Sequence, residues 1–193
     1  MISYTDAIDI IHRERGDAAC VTTMTQTKYW YAVSERPELD VGISNGMSKA
    51  SSLALGLAVG VPDRNVFVLD GDGSLLMNLG SLVTVAGQAP ANFYHFVFDN
   101  GIYAITGGQP VPNPKVDYAA MATASGYAHS HFFEDPEQLA TQLPEIMQQA
   151  GPTLIHMSIV GEPAAEGVDQ TWESNARMPA QIRALKDALL KDS

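Results

Sequence analysis

Two short turns in this 193-residue chain set oxygen-bearing side chains among glycines. The first is Asp70-Gly71-Asp72-Gly73-Ser74 and the second is Asp99-Asn100-Gly101. Asp72 offers a carboxylate and Asn100 a neutral carbonyl oxygen. Hard oxygen donors of this kind suit Mg²⁺ or Ca²⁺ and not zinc. One or two protein oxygens leave an octahedral Mg²⁺ open, to be completed by phosphate oxygens and water. Gly73 lets backbone approach closely. Ser74 opens a helical pattern, where N–H groups and the helix dipole favour an anion. Together these residue types point to a Mg²⁺–diphosphate site. Competing motifs fail on spacing. Counted from Asp70, an EF-hand loop would need Gly where Leu75 stands and Glu where Ser81 stands. A dinucleotide fingerprint would need a third glycine at Leu76, and no Walker A sequence exists.

The elements around the turns decide whether they can meet. Asn65–Leu69 and Phe93–Phe98 are apolar, β-branched and aromatic runs, which predicts two buried strands. Between them Leu75, Leu76, Leu79, Leu82, Val83 and Ala86 recur at helical spacing. Strand, turn, helix, strand makes the two strands parallel. Both turns then lie at one edge of the sheet, where ligands of open α/β sheets bind. Elsewhere, Ser3–Arg15, Met47–Gly60, Val116–Gly126, Pro136–Gln149 and Ala180–Lys191 are expected as helices, with Met47–Gly60 buried all round. Ala18–Thr23 and Thr153–Val160 are expected as strands, and Gly42–Gly46 as a turn. The alternation predicts one α/β domain over residues 1–193: an open, mostly parallel sheet with helices on both faces.

Bulk properties exclude several classes. A net charge of -11 argues against nucleic acid. The single cysteine, Cys20, excludes an internal disulfide framework and a Cys-based zinc site. The start, MISYTDAIDIIHRER, lacks the basic beginning and apolar run of a signal peptide, and Leu53–Val61 is too short and Gly-rich to span a bilayer. A cytoplasmic protein with no membrane partner is expected.

Gly71-Asp72-Gly73, followed after 25 residues (74 to 98) by Asp99-Asn100, resembles the thiamine diphosphate motif, with Asp99 in place of the usual first Asn. The similarity extends through SNGMSKASSLALGLAVGVPDRNVFVLDGDGSLLMNLGSL and DNGIYAITGGQP. These stretches resemble the diphosphate-binding domain of the phosphonopyruvate and sulfopyruvate decarboxylases. The resemblance implies the thiamine-diphosphate-binding fold, with Mg²⁺ on Asp72, Asn100 and the Ile102 carbonyl. It implies that Gly71, Gly73, Ser74, Ile105 and Thr106 meet the diphosphate. Met47 would be the apolar wedge that bends the cofactor, and the Asn45 carbonyl would accept from the pyrimidine amino group. Family members commonly have Gly at positions 45 and 48, where this chain has Asn45 and Ser48. Thr22 and Thr23 either reach the diphosphate from another loop or are ordinary strand-end threonines. The activating Glu of the family sits on a separate pyrimidine-binding domain that finds no match here.

The resemblance therefore implies a two-subunit 2-oxo acid decarboxylase, most like the β subunit of sulfopyruvate decarboxylase, with an α-type pyrimidine-binding partner in an α₂β₂ or larger assembly. Its substrate would be a small 2-oxo acid. Alternatives are a phosphonopyruvate decarboxylase-like or acetolactate-synthase-like carboligase subunit, or a non-catalytic cofactor-binding module. Lys49 and Gln109 are candidates for substrate contact, each balanced by a surface or loop-satisfying role. His12, His95 and His156 fall in regular elements and are expected to be structural. His129-Ser130-His131 lies near a loop and is a weak metal signal. Ile182, Leu185 and Leu189 form a stripe for packing or subunit contact.

Overall fold

The apolar runs assemble into one six-stranded parallel sheet in the computed structural model, which describes residues 1–43, 45–161 and 174–191. The strands are β1 (Ala19–Thr23), β2 (Asp40–Ile43), β3 (Val66–Gly71), β4 (Phe93–Asp99), β7 (His129–Phe133) and β8 (Thr153–Ser158), in the order β2-β1-β3-β4-β8-β7. A separate two-stranded hairpin pairs β5 (Ile102–Tyr103) with β6 (Gln109–Pro110). The helices are α1 (Tyr4–Arg13), α2 (Thr25–Val33), α3 (Ala50–Gly60), α4 (Asp72–Leu76), α5 (Gly80–Gln88), α6 (Tyr118–Ser125), α7 (Pro136–Ile146) and α8 (Ser174–Lys191).

Side chains alternate across each strand, so each central strand feeds two cores. One face is aromatic: Phe67, Phe96 and Phe98 pack with Trp30, Ile8, Ile11, Leu139 and Leu143 under α1, α2 and α7. The opposite face is aliphatic: Val66, Val68 and Val97 pack with Ala54, Ala58, Leu82 and Val85 under α3 and α5. Burial on both faces explains why these strands read as continuous apolar runs. Strand order reverses between β1 and β3, and the crevice outside the carboxyl ends of strands at such a switch point is where ligands bind.

Several expectations need correction. The helix expected after the first turn is two helices, α4 and α5, because Met77-Asn78-Leu79 turns between them, with Asn78 N–H donating to the Leu75 carbonyl and Ser81 N–H to that of Asn78. Asn78 and Gly80 are weak helix formers. Gly42 and Ile43 belong to β2 and not to a turn: they pair in register with Thr22 and Thr23. A Cβ at Gly42 would meet Thr27 and Tyr31 at 2.6 Å, so close helix–strand packing and not a bend requires this glycine. His129-Ser130-His131 forms the edge strand β7. α3 is not buried all round. Val59 is 57% exposed, and nothing lies near Gly56. α2 follows β1 without having been expected. α8 covers the edge strand β2: Leu185 is buried on Leu39 and Val41, and the Gly42 N–H donates to Gln181 Oε1 at 3.3 Å. Among the described residues, no helix is long and apolar enough to cross a membrane.

Candidate functional site

Parallel pairing brings the loops after β1, β3 and β4 to one edge of the sheet, and a cleft opens between them. Its walls are Met24, Thr25 and Gln26 after β1, Gly71 to Ser74 after β3, and Asn100 with Ile102 to Thr106 after β4. Met47 and Tyr4 complete the lining. Residues 72 and 100, twenty-eight positions apart in sequence, thus share one cavity.

Asp72 starts α4 and is buried. Its Oδ2 accepts from the Gly101 N–H at 2.9 Å, which ties the first turn to the second. Burial pushes its carboxyl up to about 7; the neighbouring Asp99 carboxyl adds to the rise, while the Gly73 and Gly101 N–H groups oppose it. A buried acid beside another acid is a place where a cation gains much. Asn100 is fixed at both ends of its amide: Oδ1 accepts from the Ile102 N–H at 3.0 Å, and Nδ2 donates to the Tyr4 hydroxyl at 2.8 Å. Asp99 is held from behind by His156, whose Nε2 lies 3.0 Å from Asp99 Oδ2. Asp70 is turned away from the cleft into the sheet, fully buried, with its Oδ2 3.5 Å from His95 Nε2.

The donors fit a hard cation carrying phosphate. Asp72, Asn100 and the Ile102 backbone are all oxygen sources. Among the described residues no cluster of three His, Cys, Asp or Glu could hold a metal by itself, so a cation here depends on neutral oxygens. Gly73 provides the close approach, but what approaches is a ring: a Cβ there would lie 2.5 Å from Tyr103 Cε1. Ser74 Oγ accepts from the Ser48 N–H at 3.0 Å, linking the first turn to the loop that carries Met47. At the N-terminus of α2, Thr25 faces the cleft and Gln26 is buried against Gly71. Free N–H groups at a helix start favour an anion.

The expected residues divide. Met47, Gly71, Asp72, Gly73, Ser74, Asn100, Ile102, Ile105 and Thr106 line the cleft; Asn45, Lys49, Thr23 and Gln109 do not. Thr23 is fully buried, and its hydroxyl donates to the Ile43 carbonyl at 3.4 Å; Thr22 donates to Thr27. Both hydroxyls are thus engaged at the end of β1, and neither threonine lines the cleft. Gln109 is exposed, and its amide closes on Thr106, accepting from Oγ1 at 2.9 Å and donating to the carbonyl at 2.8 Å. Lys49 is exposed at the start of α3. Asn45 and Ser48 both have positive φ, 56° and 73°, as the resemblance to glycine positions implies. The left-handed region is costly for Ser. Ser48→Gly is therefore expected to raise stability by up to about 1 kcal/mol in denaturant titration, and destabilisation would mean that its buried side chain contributes more than its backbone costs.

Sequence reasoning missed Tyr4, Met24, Thr25, Gln26 and Tyr103. Thr25 and Gln26 had a usable signal, because they directly follow a predicted strand whose carboxyl end had to lie at this edge. Tyr4 had none, since it arrives through a long-range contact.

Comparison with known proteins identifies the family. Residues 17–157 match the family model described as thiamine pyrophosphate enzyme, C-terminal TPP binding domain. Phosphonopyruvate decarboxylase of Streptomyces viridochromogenes is 40% identical over 144 residues, which are 74% of this chain and 36% of that protein. Sulfopyruvate decarboxylase subunit beta of Methanothermobacter thermautotrophicus is 40% identical over 113 residues, 58% of each chain. The chain thus spans little more than a third of the first relative's length and somewhat over half of the second's. The crystal structure of benzoylformate decarboxylase from Polynucleobacter necessarius superposes with a TM-score of 0.66 at 21% identity, covering 81% of this chain and 32% of that one.

Proposed function

The chain belongs to the thiamine pyrophosphate enzymes as their C-terminal cofactor-binding domain, and on that premise we propose that it is the diphosphate- and Mg²⁺-binding subunit of a two-subunit 2-oxo acid decarboxylase, most like sulfopyruvate decarboxylase. The observation that supports this most is the convergence of Asp72, Asn100 and Ile102 with Gly71, Gly73 and Ser74 on one cleft. In this reading Asp72, Asn100 and the Ile102 carbonyl hold Mg²⁺. Gly73, Ser74, Ile105 and Thr106 meet the diphosphate, and Thr25 and Gln26 meet it from the α2 side. Met47 supports the body of the cofactor. When bound, thiamine diphosphate supplies the nucleophilic carbon and the electron sink for CO₂ loss. The chain's own residues bind and orient it, with Ile102 to Thr106 of the hairpin segment forming one wall of the cleft.

The cleft lining contains no Lys, Arg or His among the described residues. A substrate sulfonate or phosphonate thus needs a cation from outside this cleft, and Lys49 or the partner subunit would supply it. The activating carboxylate would also come from an α-type partner. Cytoplasmic location and an α₂β₂ or larger assembly follow from the same reading. The purified pair of subunits, supplied with Mg²⁺ and thiamine diphosphate, is expected to release CO₂ from 3-sulfopyruvate and leave sulfoacetaldehyde. No CO₂ from any 2-oxo acid would sink the decarboxylase reading. Carbon–carbon products with added aldehyde would instead mark a carboligase, for which the 28% identity to acetolactate synthase isozyme 1 large subunit of Escherichia coli is the motive. If no partner co-purifies and turnover never appears, the chain is a non-catalytic cofactor-binding module.

A further inference from the structure

The N-terminal helix lies before the segment that matches the family model, which begins at residue 17. It nevertheless reaches the cleft. Ile2 extends the sheet beside the continuation of β8: its N–H donates to the Ser158 carbonyl at 2.8 Å, and its carbonyl accepts from the Val160 N–H at 2.9 Å. That pairing sets the start of α1 at the carboxyl edge of the strands. Ser3 caps the helix, accepting from the Asp6 N–H at 3.0 Å. Tyr4 is the first helical residue and turns inward. Its ring is stacked on Tyr29, with centroids 5.1 Å apart and planes 10° apart, and on Phe98, at 5.7 Å and 9°. A ring held by two others has little freedom to move.

The hydroxyl at the end of that ring accepts from Asn100 Nδ2 at 2.8 Å. The two ends of an amide differ little in size, so hydrogen bonds decide which way it faces. Here the Ile102 N–H can only donate, so it requires Oδ1 on its side. Nδ2 then faces Tyr4, and the second lone pair of Oδ1 is left for a cation. Without the hydroxyl, Nδ2 would lose its partner in a half-buried position, and the side chain would be released to other rotamers.

We propose that Tyr4 is a positioning residue for Asn100, so that α1, outside the family-matched segment, forms part of the metal site. This rests on the assignment of Asn100 to Mg²⁺ made above. Outer-shell partners of metal ligands commonly contribute 10- to 100-fold in affinity, by the general pattern of such sites.

The test uses the full chain as purified, with any subunit that accompanies it, and saturating thiamine diphosphate. Mn²⁺ serves as the probe, with the free ion read by its paramagnetic resonance signal. Wild type is expected to bind Mn²⁺ and Asp72→Asn to lose it. Tyr4→Phe keeps the stacked ring and is expected to weaken Mn²⁺ by about tenfold, with the thermal midpoint of the metal-free protein unchanged. The Asn100 side-chain amide protons, followed by ¹⁵N NMR, are expected to exchange faster in Tyr4→Phe. If Tyr4→Phe binds Mn²⁺ as wild type does while Asp72→Asn fails, the role of Tyr4 is overturned and the metal assignment stands. If Asp72→Asn matches wild type, or wild type binds none, the metal assignment fails and takes the role of Tyr4 with it. A thermal midpoint that falls along with affinity assigns Tyr4 to the fold alone and also overturns the proposal.

Discussion

Asp72→Asn is expected to move binding and stability in opposite directions. Mg²⁺-dependent retention of thiamine diphosphate, measured by calorimetry, should fall by more than about 100-fold, beyond what losing an outer-shell partner alone costs. Asparagine keeps an oxygen for the Gly101 N–H, which Asp72 Oδ2 now accepts at 2.9 Å, so the turn survives. What is lost is the negative charge that a hard cation needs. Unchanged affinity would contradict the metal assignment. Stability of the metal-free chain should change the other way. Burial, reinforced by Asp99, places the folded-state pKa of Asp72 at about 7, against an ordinary 3.8. Below the ordinary value both states carry the proton and the contribution is fully present. Between the two values the folded chain holds a proton that the unfolded chain has released. Stability therefore falls as pH rises through that window, and the loss is complete above about 7. Asp72→Asn should flatten this slope and leave the metal-free protein more stable than wild type at high pH. Denaturant titrations across pH, with and without Mg²⁺ and cofactor, read both effects.

Asp40→Ala is expected to cost about 3–5 kcal/mol of folding stability, the usual loss when one partner of a buried ion pair is removed. Arg15 and Asp40 are both almost completely buried, 2.7 Å apart. The Arg15 guanidinium also donates to Ser34 Oγ at 2.6 Å and to the Arg36 carbonyl at 3.1 Å, and it lies 5.2 Å from the centre of the Trp30 ring. Asp40 accepts in addition from Trp30 Nε1, at 2.9 Å, and from the Ser34 hydroxyl. Alanine would leave a buried cation without its counter-charge, and an indole N–H and a hydroxyl without their acceptor. This network joins the chain just after α1 to the first residue of the edge strand β2, at the end of the sheet away from the cleft, so its loss loosens the fold without touching the site. Guanidinium titration measures the change. Replacing both partners with apolar residues of similar volume, Arg15→Met with Asp40→Leu, should restore much of it. A loss under about 1 kcal/mol, typical of exposed pairs, would mean that water reaches the pair.

The central crossover was legible because its signals are local. Val66–Leu69 is an uninterrupted apolar run and Phe93–Phe98 is broken only by His95, the pattern of strands covered on both faces. The glycine and acid turns follow them directly. Parallel pairing of adjacent strands then places both turns at one edge. The weaker elements were not legible. β2 is four residues long and contains Gly42, which looks like a turn until Thr27 and Tyr31 are seen to occupy the space of its Cβ. β7 contains two histidines and a serine, and only its pairing with β8 makes it a strand.

Within the site, residue type alone marked Asp72, Asn100 and the glycines around them as candidates, because residue type fixes donor chemistry and backbone freedom. The sequence also determined that both turns fall at the same sheet edge, because strand direction follows from the crossover. Tertiary structure decided which neighbours join them. Tyr4 enters from the chain's start, Thr25 and Gln26 displace Thr23 from the cleft wall, and Gln109 closes on its own loop. It also decided that Asp99 is backed by His156 and that Arg15 meets Asp40. These are contacts between residues far apart in sequence, whose formation depends on how helices pack over the sheet. A residue's type and its local pattern carry no record of that packing.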